Sequence, residues 1–418
     1  MKKNDNKTLS VRLYGKEIGL LKQDGNGNVS FAYLPTTEKA ISQSLPLQIK
    51  PFTHKQCFPY FNGLLPESEE TRNTLAKIFH ISAKNDFSLL NAIGGDCAGA
   101  LSFVPPDTEI KEEEFIKLEG EYLTDDEWVD YINNLPQRPL GNSLENRRRL
   151  SLAGAQDKTS VTIFYGKMNL PVKSTPSTHI LKTTIKQIPH TILNEYLCLT
   201  AAGKIGLNVP ECNIVHIKNL QVLLVERYDR EQQGNKVRRI HQEDFCQALA
   251  VPSNLKYQAE GGPGFKECFT LLSNTKNIAK NKLELARRVM FNFLIGNNDA
   301  HAKNFSLLYT EEKPDLAPAY DLICTAIYPE LDNKMAMKIG SYREREWVNK
   351  KVWQSFCSDI EISYPWFSKT LTSMATDLPK VLQDVISKLS LTEEESNWVK
   401  TLIEYCQNNA DLTKDRLK

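Results

Sequence analysis

The segment NNDAHAKNFS, residues 297–306, decides how the rest of this chain is interpreted. It follows a long apolar run with helical spacing and precedes a strand-like run. Asp299 stands five positions before Asn304, and a second acidic residue, Asp321, follows after a gap of hairpin length. This spacing predicts that two carboxylates and one amide meet at one point of the fold.

The chemistry that suits this set of side chains is phosphoryl transfer. That reaction needs one carboxylate to accept or orient the proton of the attacking hydroxyl, and oxygen ligands for the Mg²⁺ that bridges the phosphates. Protein kinases use the same spacing between their catalytic Asp and their metal-binding Asn. We therefore predict that Asp299 is the catalytic base or orienting group and that Asn304 and Asp321 are Mg²⁺ ligands.

Two basic side chains of the same segment, His301 and Lys303, are expected to stabilise charge on the γ-phosphate or to contact another phosphate. The alternative interpretation is a polar turn in which residues 297–299 only cap the next element. For His301 alone, a structural hydrogen-bonding role is a further alternative. The preceding helix and the downstream Asp321 together favour the catalytic interpretation.

A loop of small residues, SLAGAQDK at 151–158, is the second candidate. A backbone without bulky side chains can approach phosphates and offer its N–H groups. The loop is not a Walker A motif, and an ordinary turn is the alternative. The basic run 147–149 beside Ser151 suggests that a phosphorylated Ser151 would find charge partners, unless the run is simply a solvated basic face.

Two strand-like segments complete the candidate nucleotide site. Lys182 ends an apolar strand from which a lysine can reach the α- and β-phosphates, and Glu195 on the following helix is the candidate to orient it. A plain surface role is the alternative for Glu195. The strand 223–225 leads into a polar stretch where the backbone groups of Glu226 and Tyr228 are expected to meet the adenine base.

The bulk composition describes a soluble globular protein of two or three domains or lobes. Hydrophobic residues make up 41% and charged residues 25% of the 418 residues, and 52 basic against 51 acidic residues leave a net charge of +1. This balance lacks the excess of basic residues expected of a chain that binds nucleic acid by itself.

Nine scattered cysteines without C-x-x-C spacing favour reduced thiols in a cytoplasmic protein over a disulfide framework or a zinc site. The polar N-terminus and the absence of a long apolar stretch indicate neither a signal peptide nor a membrane span.

The order of patterns along the chain predicts an α+β protein with a two-lobed, protein-kinase-like fold, an added mixed α/β N-terminal module and an α-helical C-terminal lobe. Residues 1–140 form the module, with a β-hairpin region at 9–34 and an exposed acidic connection at 108–121. A strand-rich, ATP-binding region follows at 141–240 and contains one helix. From residue 241 to 418 we expect a helical lobe that carries the catalytic loop.

These segments together resemble the HipA family of bacterial serine/threonine kinase toxins, from type II toxin–antitoxin systems. The resemblance extends from about residue 10 to about residue 400, and it includes the N-terminal segments, so the undivided form of the family architecture is expected. The D-x-H-x-K-N loop is also similar to that of phosphatidylinositol kinases. The matching segments are FNGLLPESEETRN (61–73), FSLLNAIGGDCAGAL (87–101), SLAGAQDKTS (151–160), THILK (178–182), NEYLCLTAAGKIGLNVP (194–210), VERYDR (225–230), NDAHAKNFSL (298–307) and AYDLICT (319–325).

The resemblance implies a role for each matching position. It makes Asp299 catalytic, Asn304 and Asp321 ligands of Mg²⁺, and Ser151 the site of an autophosphorylation that ejects its loop and switches the kinase off. The positions implied to contact ATP are Ala153, Gly154, Ala155, Gln156, Asp157, Lys158, Lys182, Glu226, Arg227, Tyr228, His301, Lys303, Asn304 and Tyr320.

The resemblance also implies partners. The expected substrate is an aminoacyl-tRNA synthetase, notably glutamyl-tRNA synthetase, whose phosphorylation stalls tRNA charging and arrests growth. A small HipB-like DNA-binding antitoxin is the expected partner, with DNA reached only through it and no membrane involved. Two alternatives stay open: a binding or co-repressor subunit that acts through the antitoxin, and a small-molecule or lipid kinase on a related fold.

Overall fold

The computed structural model describes residues 7–108, 114–139, 158–172, 175–185 and 188–418. Its strands are β1 (Lys7–Leu13), β2 (Lys16–Gln23), β3 (Val29–Tyr33), β4 (Leu101–Val104), β5 (Ile116–Lys117), β6 (Gly120–Tyr122), β7 (Lys158–Phe164), β8 (Lys167–Pro171), β9 (His179–Lys182), β10 (Cys212–Ile217), β11 (Leu220–Glu226), β12 (Arg230–Gln233), β13 (Lys236–Arg239), β14 (His241–Asp244), β15 (Ser306–Tyr309) and β16 (Asp315–Leu316). Its α-helices are α1 (His54–Asn62), α2 (Glu69–Phe79), α3 (Asp86–Ile93), α4 (Asp125–Asn133), α5 (Thr191–Lys204), α6 (Phe245–Ala248), α7 (Phe265–Leu271), α8 (Ile278–Ile295), α9 (Lys350–Asp359), α10 (Tyr364–Ile386) and α11 (Glu393–Arg416).

The chain divides into two compact units. The first comprises Met1–Thr183, Val215–Asn254 and Leu307–Glu312, and the second comprises Thr184–Ile214, Leu255–Ser306 and Lys313–Lys418. The expected three-part division at residues 140 and 240 stays a prediction. No helix in the described ranges is both long and apolar enough to cross a membrane.

The first unit begins with a four-stranded antiparallel sheet in the order β3-β2-β1-β4. The predicted turn after β2 is present, because Asp24 Oδ1 accepts hydrogen bonds of 2.9 Å from the backbone N–H groups of both Asn26 and Asn28. One face of the sheet packs against α1, α2 and α3 in a core that includes Phe31, Phe61 and Leu90. Burial of this apolar face holds the N-terminal module together.

The second sheet has six strands in the order β10-β11-β9-β7-β8-β6. Helix α4 covers one of its faces, where Trp128 and Ile132 pack with Val161, Leu181 and Leu224. Because side chains alternate along each strand, the residues between these apolar positions lie on the opposite face of the sheet. That opposite face carries the lysines predicted to meet phosphate.

The second unit is a helical bundle in which α10 packs against α5, α8, α9 and α11. Trp353 of α9 lies at the centre of an aromatic cluster with Phe293, Phe356 and Phe367, at ring-centroid distances of 5.0–5.7 Å. Edge-to-face and tilted aromatic contacts of this kind stabilise the fold by more than the apolar area that they bury. The cluster fixes α8, whose end leads into the segment 297–306.

Most predicted elements are confirmed, and the exceptions share one cause. Strand β5 and most of β6 lie in the stretch 108–121, which we expected to be an exposed connection, and the region expected to be helical from residue 241 begins with strand β14. Strand β14 pairs with β15, which follows more than sixty residues later. Such short strands form because a distant partner completes their hydrogen bonds, and local periodicity does not report the partner.

Candidate active site

Helix α8 delivers the candidate catalytic loop from a fixed end. It stops at Gly296, which adopts a left-handed φ of 73°. Asn409 of α11 donates hydrogen bonds of 2.8 and 2.9 Å to the carbonyl groups of Phe293 and Leu294 in the last turn of the helix. The loop therefore starts from a rigid point of the second unit.

Asn297 joins the two acidic segments of the site. Its Oδ1 accepts a hydrogen bond of 3.1 Å from the backbone N–H of Asp299, and its Nδ2 donates one of 3.2 Å to the backbone carbonyl of Asp321. The same Nδ2 lies 3.0 Å from Asn292 Oδ1 in α8, and the Asn297 side chain is 4% exposed. One buried amide thus fixes the two predicted acidic residues near each other.

Asn304 closes the loop onto Asp299. Its Nδ2 donates a hydrogen bond of 2.9 Å to the Asp299 carbonyl, which also accepts one of 2.7 Å from the His301 N–H. Residues Ala302–Asn304 form a 3-10 turn between them. Because the amide nitrogen of Asn304 is used inside the loop, its amide oxygen is the atom that can serve as a metal ligand.

The segment around Asp321 is fastened to the same loop. The Tyr320 hydroxyl donates a hydrogen bond of 2.7 Å to the Lys303 carbonyl and lies 2.6 Å from Ser306 Oγ. Asp321 itself has a left-handed φ of 52°, which an Asp tolerates better than most residues. The structure therefore brings the predicted Asp299, Asn304 and Asp321 together, and it places Tyr320 as a support of the loop backbone.

The donor set at this point suits Mg²⁺. Among the described residues there is no cluster of three or more His, Cys, Asp or Glu side chains that could hold a metal ion. One amide oxygen, from Asn304, and one carboxylate, from Asp321, remain as candidate ligands. Mg²⁺ commonly takes only one or two protein carboxylates and keeps water and substrate phosphates as its other ligands.

Tyr257 belongs to this site but was not predicted from the sequence. Its hydroxyl donates a hydrogen bond of 2.7 Å to Asp299 Oδ1. Its ring packs edge-on against the buried imidazole of His301, at 5.2 Å between centroids, and His301 Nε2 is 3.9 Å from the same Asp299 oxygen. The only sequence signal is a glycine-rich stretch, residues 261–264, that follows Tyr257.

The first unit carries two lysines at directly paired positions. Lys158 of β7 and Lys182 of β9 are partners in the antiparallel register, so both side chains lie on the sheet face opposite α4. Lys182 is 7% exposed. Two like charges at paired positions favour an anionic ligand on that face. Glu195 is buried in α5 of the second unit, so the surface interpretation is wrong, while its pairing with Lys182 stays a prediction.

The expected adenine-binding stretch follows β11, where Glu226 pairs with His179 of β9. The Arg227 side chain is buried and donates hydrogen bonds of 2.8–2.9 Å to Asp229, and its backbone N–H donates one to Thr178. The structure thus gives Arg227 a supporting role. The nucleotide contacts expected of Glu226, Arg227 and Tyr228 stay predictions, and the Tyr228 hydroxyl donates a hydrogen bond to Gln242.

The loop of small residues lies mostly outside the described part of the chain. This holds for Ser151 and for Ala153, Gly154, Ala155, Gln156 and Asp157, whereas Lys158 is the first residue of β7. All nine cysteines are free, and eight of them are buried.

Comparisons with known proteins give the same picture across the chain. Residues 150–387 match the HipA-like C-terminal domain and residues 9–104 match the HipA N-terminal domain. The putative kinase Y4mE of Sinorhizobium fredii is 40% identical over 390 residues, which cover 90% of this chain and 92% of the relative. The serine/threonine-protein kinase toxin HipA of Shewanella oneidensis is 30% identical over 413 residues, covering 94% and 92% of the two chains.

A solved structure matches as well. The complex of HipA, HipB and operator DNA from the Shewanella oneidensis toxin–antitoxin system contains a chain that superimposes with a TM-score of 0.85 at 26% identity, covering 98% of both chains. This similarity confirms the predicted fold class, a kinase-like two-lobed fold of the HipA type.

Proposed function

This chain belongs to the HipA family and is a serine/threonine protein kinase, and we propose that it acts with Mg-ATP as the toxin of a HipA/HipB-type toxin–antitoxin pair. The observation that carries the proposal is the set of hydrogen bonds from Asn297 and Asn304 that holds Asp299 and the Asp321 segment together. The free, mostly buried thiols support action in the cytoplasm.

In the proposed reaction, the hydroxyl oxygen of the acceptor forms a bond to the γ-phosphorus of ATP. The bond between that phosphorus and the β–γ bridging oxygen breaks, ADP leaves, and the hydroxyl proton passes to the Asp299 carboxylate. Asp299 suits this role because its side chain is 51% exposed and can meet a protein substrate. Mg²⁺ bound by Asn304 and Asp321 would supply positive charge to the phosphates.

Lys158 and Lys182 are proposed to bind the phosphates of ATP. Their paired positions concentrate positive charge on one face of the six-stranded sheet. The resemblance supports nucleotide contacts for both, for Glu226 and Tyr228, and for the loop that ends at Lys158. The strand pairing of β7, β9 and β11 supports this assignment because it places these segments side by side.

We further propose that the substrate is an aminoacyl-tRNA synthetase and that phosphorylation of Ser151 switches the kinase off. Both proposals rest on the family resemblance, and the first is supported by a relative that is itself named as a toxin. The basic run 147–149 beside Ser151 supports the second, because Arg side chains bind phosphate groups well.

Incubation with radiolabelled ATP and Mg²⁺ tests the kinase chemistry. The wild-type chain should label itself or a protein of a cell lysate, while Asp299→Asn and Asp321→Asn should lose labelling at least 100-fold. Asp411→Asn, which removes an exposed carboxylate of α11, is the matched control and should label normally. Wild-type labelling no stronger than that of Asp299→Asn would refute the proposal.

Phosphoproteomics that compares cells after brief expression of wild type and of Asp299→Asn identifies the substrate.

Ser151→Ala should block the inactivating autophosphorylation. Ser151→Asp should weaken ATP binding, because a negative charge then crowds the phosphates. Unchanged ATP affinity in Ser151→Asp would count against the switch.

A second candidate function is that of a co-repressor subunit. It is favoured by the solved complex in which the Shewanella oneidensis relative is assembled with HipB and operator DNA. The net charge of +1 suits a chain that reaches DNA through an antitoxin. If Asp299→Asn and Asp321→Asn keep repression of a reporter operator while labelling is lost, the two functions are separable.

A further inference from the structure

The hydrogen bond between Tyr257 and Asp299 joins a loop to the proposed catalytic carboxylate. The two residues are 42 positions apart in sequence, and the distance from the Tyr257 hydroxyl to Asp299 Oδ1 is 2.7 Å. Among the described residues, Tyr257 is the side chain that donates a hydrogen bond to the Asp299 carboxylate. The His301 Nε2 atom lies 3.9 Å from the same oxygen, which is too far for a hydrogen bond.

The backbone holds Tyr257 in one place. Its carbonyl accepts hydrogen bonds of 3.0 Å from the N–H groups of both Glu260 and Gly262, and Gly261 takes a left-handed φ of 94°. A Cβ atom at Gly262 would lie 2.0 Å from the Leu255 carbonyl oxygen, so the turn closes tightly on itself. The turn around Tyr257 is therefore a rigid support.

Neighbouring side chains fix the Tyr257 ring as well. The ring packs edge-on against His301, which is buried, and the Lys256 ammonium lies 5.2 Å from the ring centroid. The next residue, Gln258, accepts a hydrogen bond of 2.7 Å from the Lys338 backbone N–H. These contacts of the ring and the backbone hold the hydroxyl at its position on Asp299 Oδ1.

A carboxylate has two oxygens, and a catalytic carboxylate must present one of them to the acceptor hydroxyl. We propose that Tyr257 is a positioning residue of the phosphoryl transfer: by holding Asp299 Oδ1 it sets the rotation of the carboxylate, so that Oδ2 meets the acceptor. The inference rests on the proposed role of Asp299. It extends that role, because it assigns the orientation of the carboxylate to a residue outside the catalytic loop.

The opposite role for the same contact would be self-blocking, in which the Tyr257 hydroxyl occupies the place of the acceptor and has to leave. The tight turn and the packed ring argue against a group that swings away. The two roles also predict opposite changes in rate when the hydroxyl is removed, so one variant distinguishes them.

Tyr257→Phe removes the hydroxyl and keeps the ring against His301. Self-labelling of the full chain with Mg-ATP should fall about 10- to 100-fold at saturating ATP, the effect expected for one hydrogen bond to a charged group. The ATP concentration that gives half the maximal rate should change less than about twofold, because the hydroxyl that is removed binds Asp299, the residue proposed to act on the acceptor. The same change at an exposed tyrosine, Tyr122→Phe, should leave both values unchanged.

Three outcomes decide between the possibilities. A Tyr257→Phe rate equal to wild type, or above it, overturns the positioning role, and a rise would show self-blocking. A rate loss accompanied by a matching loss of affinity for ATP or of thermal stability also overturns it, because the hydroxyl would then be structural. If wild type labels no better than Asp299→Asn, the proposed function fails before Tyr257 is tested.

Discussion

At the scale of single residues, the first unit contains a cluster of five charged side chains, of which four are buried and Arg239 is partly buried. Asp96 lies 3.0 Å from Arg230 and 3.2 Å from Arg239, and Asp229 lies 2.8 Å from Arg227 and 3.0 Å from Arg230. Burial alone would raise the pKa of Asp96, but the surrounding arginines outweigh it and hold that pKa well below its usual range. Each charge therefore depends on its partners, because a buried charge that loses its partner destabilises the folded state.

Replacing Asp96 should therefore destabilise the fold strongly. We expect Asp96→Asn to lower the free energy of unfolding by about 3–5 kcal/mol, because the arginines stay buried with one carboxylate fewer. Urea denaturation measures the loss. Asp130→Asn, at an exposed position of α4, is the control and should stay within about 0.5 kcal/mol of wild type. Equal midpoints for the two variants would contradict this account.

Glu243 is a second buried residue with an unusual titration. It accepts hydrogen bonds from Ser42 Oγ, from the Gln43 N–H at 3.0 Å and from the Tyr309 hydroxyl. Burial nevertheless raises its pKa to about 7, and the nearby Asp244 acts in the same direction. A pKa raised in the folded state means that folding favours the protonated form. The resulting stability is full below the unfolded pKa of about 4.3 and is lost as the pH rises through about 7.

Glu243→Gln should remove this pH dependence, because an amide does not titrate. Between pH 4.5 and 7.5 the free energy of unfolding of wild type should fall, relative to the variant, by an amount on the order of 3 kcal/mol. Thermal or urea unfolding across this range gives the two curves. Parallel curves would show that Glu243 titrates normally in the folded protein.

At the scale of elements, the proposed catalytic loop is held in shape by its own set of hydrogen bonds. Its backbone is closed by Asn304 and tied to the Asp321 segment by Asn297. Asn298 adds a hydrogen bond of 2.7 Å from its N–H to Thr325 Oγ1. Two consecutive asparagines, Asn297 and Asn298, therefore hold the loop next to Asp299, and neither of them is assigned a part in the chemistry.

Asn297→Ala should lower the rate of phosphoryl transfer, although Asn297 is not proposed to contact the substrate. We expect self-labelling to fall about 100-fold, because a displacement of Asp299 from Asp321 by about 1 Å carries a penalty of that size. Stability should fall by about 1–3 kcal/mol through the hydrogen bonds that lose their buried partner. Asn397→Ala on the exposed side of α11 serves as the control. A normal labelling rate in Asn297→Ala would show that the loop keeps its shape without the bridge.

At the scale of the whole molecule, the N-terminal module and the strand-rich region share one compact unit. Ser42 and Asp96 of the module meet Glu243 and Arg230, over sequence separations of 201 and 134 residues. These contacts are buried and charged, so the strand-rich region depends on the module for partners. The undivided chain expected from the resemblance has this physical basis.

A chain that begins at residue 105 should for that reason fold poorly. Arg227, Arg230 and Glu243 would lose partners supplied by the module, and the apolar surface against it would be exposed. We expect most of the shortened chain to be insoluble, with residues 1–104 supplied as a second chain restoring part of it. Soluble, cooperatively unfolding protein without the module would disprove this dependence.

The resemblance and the spacing pointed to the residues proposed to carry the chemistry, but not to the residues that hold them in place. Asp299, Asn304 and Asp321 were predicted because they lie within one short stretch and one hairpin-length gap. Tyr257 was missed because it sits 42 positions upstream in a loop without a recognised motif. The side chain of Arg227 binds Asp229 in a buried network that only the fold assembles, and the nucleotide contact expected of this residue stays a prediction.

Most helices, the antiparallel hairpins and the proposed catalytic loop can be predicted from the sequence, because their hydrogen bonds join residues a few positions apart and leave a local pattern. The identity of the Asp299 oxygen that is held, the set of charges around Asp96 and the partner of β14 follow instead from the packed fold. Those features depend on groups tens to hundreds of residues apart. Their free energy comes from desolvation and close contact, which arise only after the chain has packed.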